Sequence, residues 1–282
     1  MPSFSMARLT DTTVRQSYLA SKPIYEERAQ IIKEIPGFWP AVFEEAPLEI
    51  ESHVQARDLP ILDHLTWLEL NRFELDEDPS NGDPRSIQLT FRFSANEYFE
   101  DETLKKKFWY RRSNDGWSGL VSKPLDIQWK DGKDPTDGLL KSAVERHHKV
   151  RATEDNLRMQ AKKNAPKPST QPQGEEVSIF AWFGYHGRDI SAQEYSRAAR
   201  DEIERRETIV VGEEQEVSKA GNDGELIIEK TLAVDRDAEF PSCQETFPGG
   251  EELALAISED LFPGALKYFC SHSTCPWQFR PR

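Results

Sequence analysis

Apolar residues recur at intervals of four and seven over residues 14–34 (VRQSYLASKPIYEERAQIIKE). Val14, Tyr18, Tyr25 and Ile32 fall on one helical face, with Ser21 and Arg28 at the intervening heptad positions. Ile24, Ile31 and Ile35 form a neighbouring stripe. The spacing predicts an amphipathic helix whose apolar face needs a partner surface, either the chain's own core or a helix from a second subunit. Pro23 either kinks this helix or marks a start at a Ser21 cap, and Pro36 ends it. In the next segment, IPGFWPAVFEEAP (35–47), Pro40 suits a first helical turn, and Phe38, Trp39 and Phe43 supply an apolar anchor.

After an acidic helical stretch at 55–64 the period changes from about 3.6 to 2. LTWLELNRFEL (65–75) is rich in strand formers, and DEDPSNGDP (76–84) is a turn-rich loop. SIQLTFRF alternates cleanly, with Ile87, Leu89, Phe91 and Phe93 inward and Gln88, Thr90 and Arg92 outward. LKKKFWYRR (104–112) reads as a third strand closed by the Asn114-Asp115-Gly116 turn signal. PLDIQW (124–129) reads as a fourth, with Leu125, Ile127 and Trp129 on one face. Consecutive strands with short turns predict an antiparallel meander rather than βαβ units.

The remainder is less regular. It holds a basic helical segment around 141–163, a proline-bearing linker at 164–176 that reads as flexible, and an aromatic core segment VSIFAWFGYH (177–186). Residues 187–250 are charged, with a helical stretch at 191–207 and strand-like patches TIVV and ELIIEKTLAV. Leu253, Ile257 and Leu261 predict a helix over 252–262, which Pro263-Gly264 breaks before ALKYF (265–269) resumes.

Composition narrows the classes. Over 282 residues, 37% are hydrophobic and 10% aromatic, enough to bury a core, while 30% are charged and 18 are proline, so long solvated stretches follow. The net charge of −14 argues against strong direct nucleic-acid binding and favours basic partners. The charge is uneven: from Glu44 to Asp78 eleven acids face Arg57 and Arg72, from Lys141 to Lys167 eight bases face three acids, and from Glu175 onward acids lead 22 to 11. No apolar run approaches the ~20 residues that span a bilayer, and no membrane role or signal peptide is expected. Cys243, Cys270 and Cys275 are too few for a disulfide scaffold, so a reducing compartment is expected.

Catalytic signatures are missing: no GxGxxG after a strand, no GxxxxGK[ST], no GxSxG and no HExxH. Cys270, His272 and Cys275 offer three soft ligands and no fourth, so no metal or cofactor is expected. His147-His148 sits in a basic, exposed segment. Acid pairs such as Glu44-Glu45 read as solvated faces. No enzymatic chemistry is expected.

The order of motifs resembles the nucleosome assembly protein (NAP) family, in its SET-type branch. Pro23–Arg28 and Ile31–Trp39 are similar to the end of that family's dimerisation helix and the following turn. Leu65–Phe73 and Ile87–Phe93 resemble its first two sheet strands. Asn96-Glu97-Tyr98-Phe99 resembles its NPYF corner, with Glu97 in place of proline, and Leu104–Phe108 its L-x-K-x-F strand. Ile127–Asp134 is similar to I-x-W-K-x-G-K-D, Phe180–Phe183 to F-x-W-F, and Ile257–Pro263 to I-x-D-D-I-W/F-P.

The resemblance implies an α+β fold: an N-terminal dimerisation helix followed by an "earmuff" domain with a four-stranded antiparallel sheet packed by helices. It divides the chain into a shortened dimerisation helix (5–34), an earmuff domain (35–269) with insertions at about 135–176 and 187–250, and a C-terminal tail (270–282). It implies a non-catalytic homodimer that binds core histones, the tetramer-forming pair, the dimer-forming pair or both, and assists nucleosome assembly and disassembly. A histone acetyltransferase is a further implied partner, and nuclear localisation with shuttling to the cytoplasm is implied, the basic segment 141–167, including Lys162-Lys163, offering a weak import signal or only a solvated loop. By resemblance the histone-binding residues are Asp126, Asp131 and Asp134 at the sheet end, Glu175 and Glu176 before F-x-W-F, and Glu259 and Asp260 before the proline. The dimer interface falls to Val14, Tyr18, Ile24, Tyr25, Ile31 and Ile32, and Trp39, Trp129, Trp182 and Phe183 go to the core. The alternative is a scaffold that keeps the fold and binds a histone-modifying enzyme or phosphatase. Three departures stand out: the short helix, about 70 residues between Phe183 and Ile257, and a C-terminal tail without a run of acids.

Overall fold

The computed structural model describes residues 3–80, 82–113, 115–157, 177–188, 190, 195–198, 200, 247 and 249–272. Helix α1 (Ser3–Ile32) runs unbroken through Pro23, longer than the pattern predicted. Ser21 lies inside it, its hydroxyl donating back to the Tyr18 carbonyl, so no new helix starts there. An interior proline removes one backbone hydrogen bond and strains the turn, at a cost of ~3 kcal/mol. Contacts on both sides hold the helix in place. Before Pro23, Arg15 donates to the carbonyls of Pro79 and Gly82, while the Tyr18 hydroxyl and Lys22 ammonium reach Asp76 at 3.0 and 2.7 Å. After it, Arg28 donates to the Phe262 and Pro263 carbonyls at 2.8 and 3.2 Å.

Gly37, at φ 69°, turns the chain into α2 (Phe38–Glu44), which buries Phe38, Trp39, Val42 and Phe43. Two single turns follow, α3 (Leu48–Glu51) after Pro47 and α4 (Leu59–Leu62). The acidic helix predicted at 55–64 is reduced to α4. Asp58 is fully buried there and accepts from Gln55 N (2.9 Å), Ser178 Oγ (2.5 Å) and Ile179 N (3.0 Å), tying α4 to the aromatic segment 120 residues later.

The sheet is a meander, β1 (Leu65–Asn71), β2 (Ile87–Phe93), β3 (Thr103–Arg112) and β4 (Ser118–Ser122), in the order β1-β2-β3-β4. β1 is shorter than the predicted 65–75, because the chain turns into α5 (Phe73–Glu77) to bury Phe73 and Leu75. β1 and β2 pair antiparallel with Leu68 opposite Phe91, and β2 and β3 with Leu89 opposite Lys106. The inward set predicted for β2 is buried as expected, but Thr90, placed outward by the alternation, is buried as well at 2% exposed, because other parts of the fold also cover that side of the strand.

The fourth strand departs from prediction. It is Ser118–Ser122, directly after the Asp115-Gly116 turn, and not 124–129. A tight turn closes a hairpin with the residues that follow it at once, so 118–122 pair first. Residues 124–129 instead cross the domain, fastened by a single bridge between Phe99 and Trp129 and by Leu125 N donating to Phe183 O at 2.8 Å. Their apolar alternation reports burial against the core, not strand pairing.

The core lies between the sheet and a 3-10 turn, Ile179–Gly184, all of it buried. The Trp182 ring stacks on Phe108 at 5.3 Å, and Phe183 meets Phe91 edge-on at 5.6 Å. Helix α6 (Leu139–Leu157) occupies the predicted basic segment. Helix α7 (Gly250–Ala256) leads into a π-helical turn, Ile257–Leu261, and then α8 (Ala265–Ser271). Trp182 Nε1 donates to Gly250 O at 2.8 Å, and a Cβ at Gly250 would lie 2.2 Å from the Tyr185 ring, so only glycine fits.

One cation sits inside this core. Lys106 is 1% exposed, and its ammonium donates to the carbonyls of Lys123 (3.0 Å), Phe183 (3.0 Å) and Tyr185 (2.7 Å). Three donors meet three acceptors. The bond set ties β3 to the segments after β4 and after the aromatic turn.

Among the described residues, 111–113, 115–119, 188, 190, 195–198 and 200 belong to a second, small unit. Within it, Arg188 pairs with Asp115 at 2.5 Å and lies 5.4 Å from the Trp117 ring, while Arg111 lies 4.9 Å from the Tyr195 ring. The Arg188 guanidinium, with help from Trp117 N–H, holds the Asp115 carboxyl at about 2. Because that lies below its ordinary value of 3.8, the pair's contribution is complete above about pH 4 and disappears as pH falls through 2. A carboxyl-carbon NMR titration is expected to place the Asp115 midpoint near 2 in the native protein and near its ordinary value in Arg188→Gln; equal midpoints would refute the pairing. Residues 195–198 are helical, within the predicted 191–207 helix. The 164–176 linker and the two strand-like patches lie outside the described residues.

Candidate functional site

The β2–β3 corner is built by Asn96, whose side-chain oxygen accepts from Tyr98 N (2.9 Å) and Phe99 N (3.0 Å). The crossing segment is laced to this corner. Lys130 N donates to Tyr98 O (2.8 Å), Glu100 N to Gln128 O (3.1 Å), and Lys130 Nζ to Asn96 O (2.7 Å). Gln128 N donates to Asp101 Oδ2 at 2.8 Å and Gln128 Nε2 to Asp126 Oδ2 at 3.1 Å. Lys133 pairs with Glu97 at 2.5 Å, and this contact draws the Glu97 carboxyl below its ordinary value.

The result is an acid-rich rim. Glu97, Glu100, Glu102, Asp126 and Asp131 are exposed on it and Asp101 and Asp134 are half-buried, against only Lys130 and Lys133. Asp126, Asp131 and Asp134, named from the sequence, are thus brought together with Glu97, Glu100, Asp101 and Glu102, which the motif reading passed over. The missed signal was the Asn96–Phe99 corner itself, since a turn beside a crossing segment collects the acids of both. Asp134 differs from its neighbours. Its two oxygens accept from Thr136 N (2.8 Å), Thr136 Oγ1 (2.6 Å) and Gly138 N (3.0 Å), so it shapes the entry to α6.

Glu259 and Asp260 stand exposed on a different element, the π-helical turn. Asp260 accepts from Tyr268, whose hydroxyl is raised mainly by burial and then by that carboxylate. Glu175 and Glu176 lie outside the described residues. Glu251 has an internal role: half-buried and raised by burial, it accepts from Leu120 N at 2.9 Å.

Elsewhere on the sheet, cations lie over aromatic rings: Arg92 is 5.6 Å from the Trp67 ring, Lys107 4.4 Å from Phe73 and Lys123 5.3 Å from Trp109. Arg92 and Lys107 also lie 3.9 Å from the carboxylates of Glu69 and Glu77.

Helix α1 divides the residues named for dimerisation. Tyr18 and Ile32 are buried, Val14 and Tyr25 half-buried, with Tyr25 edge-on to Phe262 at 5.2 Å. Ile24 and Ile31 are 64% and 62% exposed, and Leu19, absent from the sequence reading, joins them at 52%. Of the four aromatics assigned to the core, Trp39, Trp182 and Phe183 are buried, and half-buried Trp129 packs on Phe99 and Phe180. His147 is half-buried, 6.1 Å from the His186 ring, rather than wholly exposed as its segment suggested. Among the described residues no three His, Cys, Asp or Glu side chains group as metal ligands, and no helix is long and apolar enough to cross a membrane. Cys270 is exposed, and Cys243 and Cys275 lie outside the described residues.

The sequence profile described as "Nucleosome assembly protein (NAP)" matches residues 10–272. The chain is 33% identical over 116 residues to Protein SET of Drosophila melanogaster, covering 40% of this chain and 39% of that protein. It is 32% identical over 127 residues to NAP1-related protein 1 of Arabidopsis thaliana, covering 45% of each. The aligned part thus spans less than half the length of these relatives. The solved structure of the Vps75 histone chaperone superposes with a TM-score of 0.53 at 19% identity, over 95% of this chain and 91% of that one, a likeness of fold.

Proposed function

Because the chain belongs to the nucleosome assembly protein family, we propose that it is a histone chaperone that holds core histones through the acidic rim of its earmuff domain. The observation that carries this reading is the rim, with seven carboxylates on two interlaced segments against two lysines. Exposed ion pairs contribute only ~0.2–1 kcal/mol each, so one pair holds little and an array on a fixed scaffold is needed. The hydrogen bonds that Asn96 accepts and that Gln128 and Lys130 donate provide that scaffold. Shielding histone charge in this way assists nucleosome assembly and disassembly without catalysis. In this reading residues 5–34 pair two copies through the exposed Leu19, Ile24 and Ile31, and the protein acts in the nucleus. Glu259 and Asp260 form a second acidic contact.

Sedimentation of the purified protein, alone and with each core histone pair, tests this at about 0.15 M salt and above, where the screening length falls from ~8 Å. A dimer that takes up histones and releases them as salt rises is expected. Indifference to both pairs would overturn the reading and leave a NAP-fold scaffold for another protein.

A further inference from the structure

Among the acids of the rim stands the half-buried ring of Tyr98, next to Glu97. Its backbone is fixed on both sides: Tyr98 N donates to Asn96 Oδ1 at 2.9 Å, and Tyr98 O accepts from Lys130 N at 2.8 Å. The His64 ring lies 6.0 Å away, with its Nδ1 3.1 Å from Ser94 Oγ. A cation already sits against the tyrosine. Lys133 Nζ is 5.4 Å from the ring centroid, inside the ~6 Å reach of a cation–π contact, and 2.5 Å from Glu97 Oε2. Carboxylate and ring thus hold one positive charge between them. The side chains of Glu97 and Lys133 are 66% and 38% exposed, and an ion pair in water is easily exchanged for another.

The same chain shows what a guanidinium does with a carboxylate and a tyrosine. Arg85 forks onto Asp83, Nε to Oδ1 at 3.0 Å and Nη2 to Oδ2 at 2.9 Å, while its guanidinium lies 3.6 Å from the Tyr110 ring centroid. A flat, weakly hydrated fork satisfies a carboxylate through two bonds and stacks on a ring at the same time. An ammonium is a compact, strongly hydrated point charge, and Lys133 accordingly stands farther from its ring.

We propose that Glu97 and Tyr98 form a subsite for an arginine side chain of the bound partner, and that Lys133 is the resident cation the arginine displaces. The subsite rests on the reading of the rim as a histone-binding surface and refines it. Net charge alone treats arginine and lysine alike, whereas a ring beside a carboxylate tells them apart. Displacement keeps Glu97 paired and adds a second bond and a stacked face. Lys133 returns to water, where an ammonium is well solvated.

The test is an NMR titration of the full chain carrying ¹³C-labelled tyrosine rings, the Tyr98 signal being assigned by its loss in Tyr98→Phe. The probes are hexa-arginine amide and hexa-lysine amide, which match in charge. Hexa-arginine is expected to shift the Tyr98 signal at a concentration at least threefold below that needed with hexa-lysine. Lys133→Met is expected to strengthen hexa-arginine binding about threefold, and more than Lys105→Met, which removes the same charge from the sheet. In calorimetry the preference for arginine is expected to survive in Tyr98→Phe, which keeps the ring, and to vanish in Tyr98→Leu. An equal response to the two peptides, a gain in Lys133→Met no larger than in Lys105→Met, or an arginine preference that persists in Tyr98→Leu would overturn the proposal. The peptides bind or fail independently of the sedimentation with histones, so the subsite and the chaperone reading fail separately.

Discussion

Lys106→Met is expected to lower the stability of the protein by about 3 kcal/mol and its melting temperature by roughly 6–12 °C. Methionine keeps the length of the side chain and removes the ammonium. The desolvation cost of the charge goes with it, but the carbonyls remain inside. Phe183 O keeps its bond from Leu125 N and Lys123 O a long one from Ser122 Oγ at 3.4 Å, but all three carbonyls lose the charged donor that joined them to β3. Losing a charged donor from three carbonyls inside the fold costs more than the neutral methionine gains. Lys105→Met, exposed on the opposite face of the same strand, is expected to change stability by no more than about 0.5 kcal/mol. Chemical denaturation of both variants decides the matter: equal midpoints would show that Lys106 is an incidental burial and not a fastening.

Neutralising the rim is expected to have the second large effect. The combined change Glu97→Gln, Glu100→Gln, Asp126→Asn and Asp131→Asn should weaken histone binding by about 4- to 900-fold, from four contributions of ~0.2–1 kcal/mol each. The slope of affinity against salt should become shallower, because fewer charges are involved. All four side chains are exposed, so the fold should survive. Asp134→Asn should behave differently: it disturbs the Thr136 and Gly138 bonds at the entry to α6 and should appear first as lost stability. As a control, Glu49→Gln with Glu51→Gln on α3 removes charge elsewhere on the surface. Affinity that falls equally with rim and control would mean that only net charge matters. Affinity that survives the rim change and falls with Glu259→Gln and Asp260→Asn would move the site to the π-helical turn.

Much of this architecture was legible in the chain. The alternation in β2 picked out the core-facing residues, though not the burial of Thr90 on the other face, and the helical spacing found α1 and the helix before Pro263. What misled was the use of one signal for two causes. Ile127 and Trp129 alternate because the crossing segment presses one side into the core, a pattern identical to that of a strand until its neighbours are known. Lys106 was hidden for the converse reason. Period-2 parity places it beside Leu104 and Phe108, facing inward, but a run of three lysines carries no local sign that one of them is buried. The acceptors that satisfy it lie 17 to 79 residues away, where no local pattern reaches. The same distance conceals the rim. It is assembled from segments that sequence order keeps apart, and Arg28, filed as a heptad position, meets carbonyls 234 and 235 residues downstream.

The two-sided anchoring of α1 has a mechanical consequence. A helix weakened at its middle by proline would ordinarily act as a hinged lever. Here the arm before Pro23 is pinned to the loop after α5, and the arm after it to the turn before α8. Both arms are bolted to one rigid block, so the exposed Leu19, Ile24 and Ile31 ridge is a fixed rail whose heading is machined by the folded domain. A second copy seated on that rail would inherit its angle from contacts made within each subunit, and the spacing between the two acidic rims would be set before the subunits ever met.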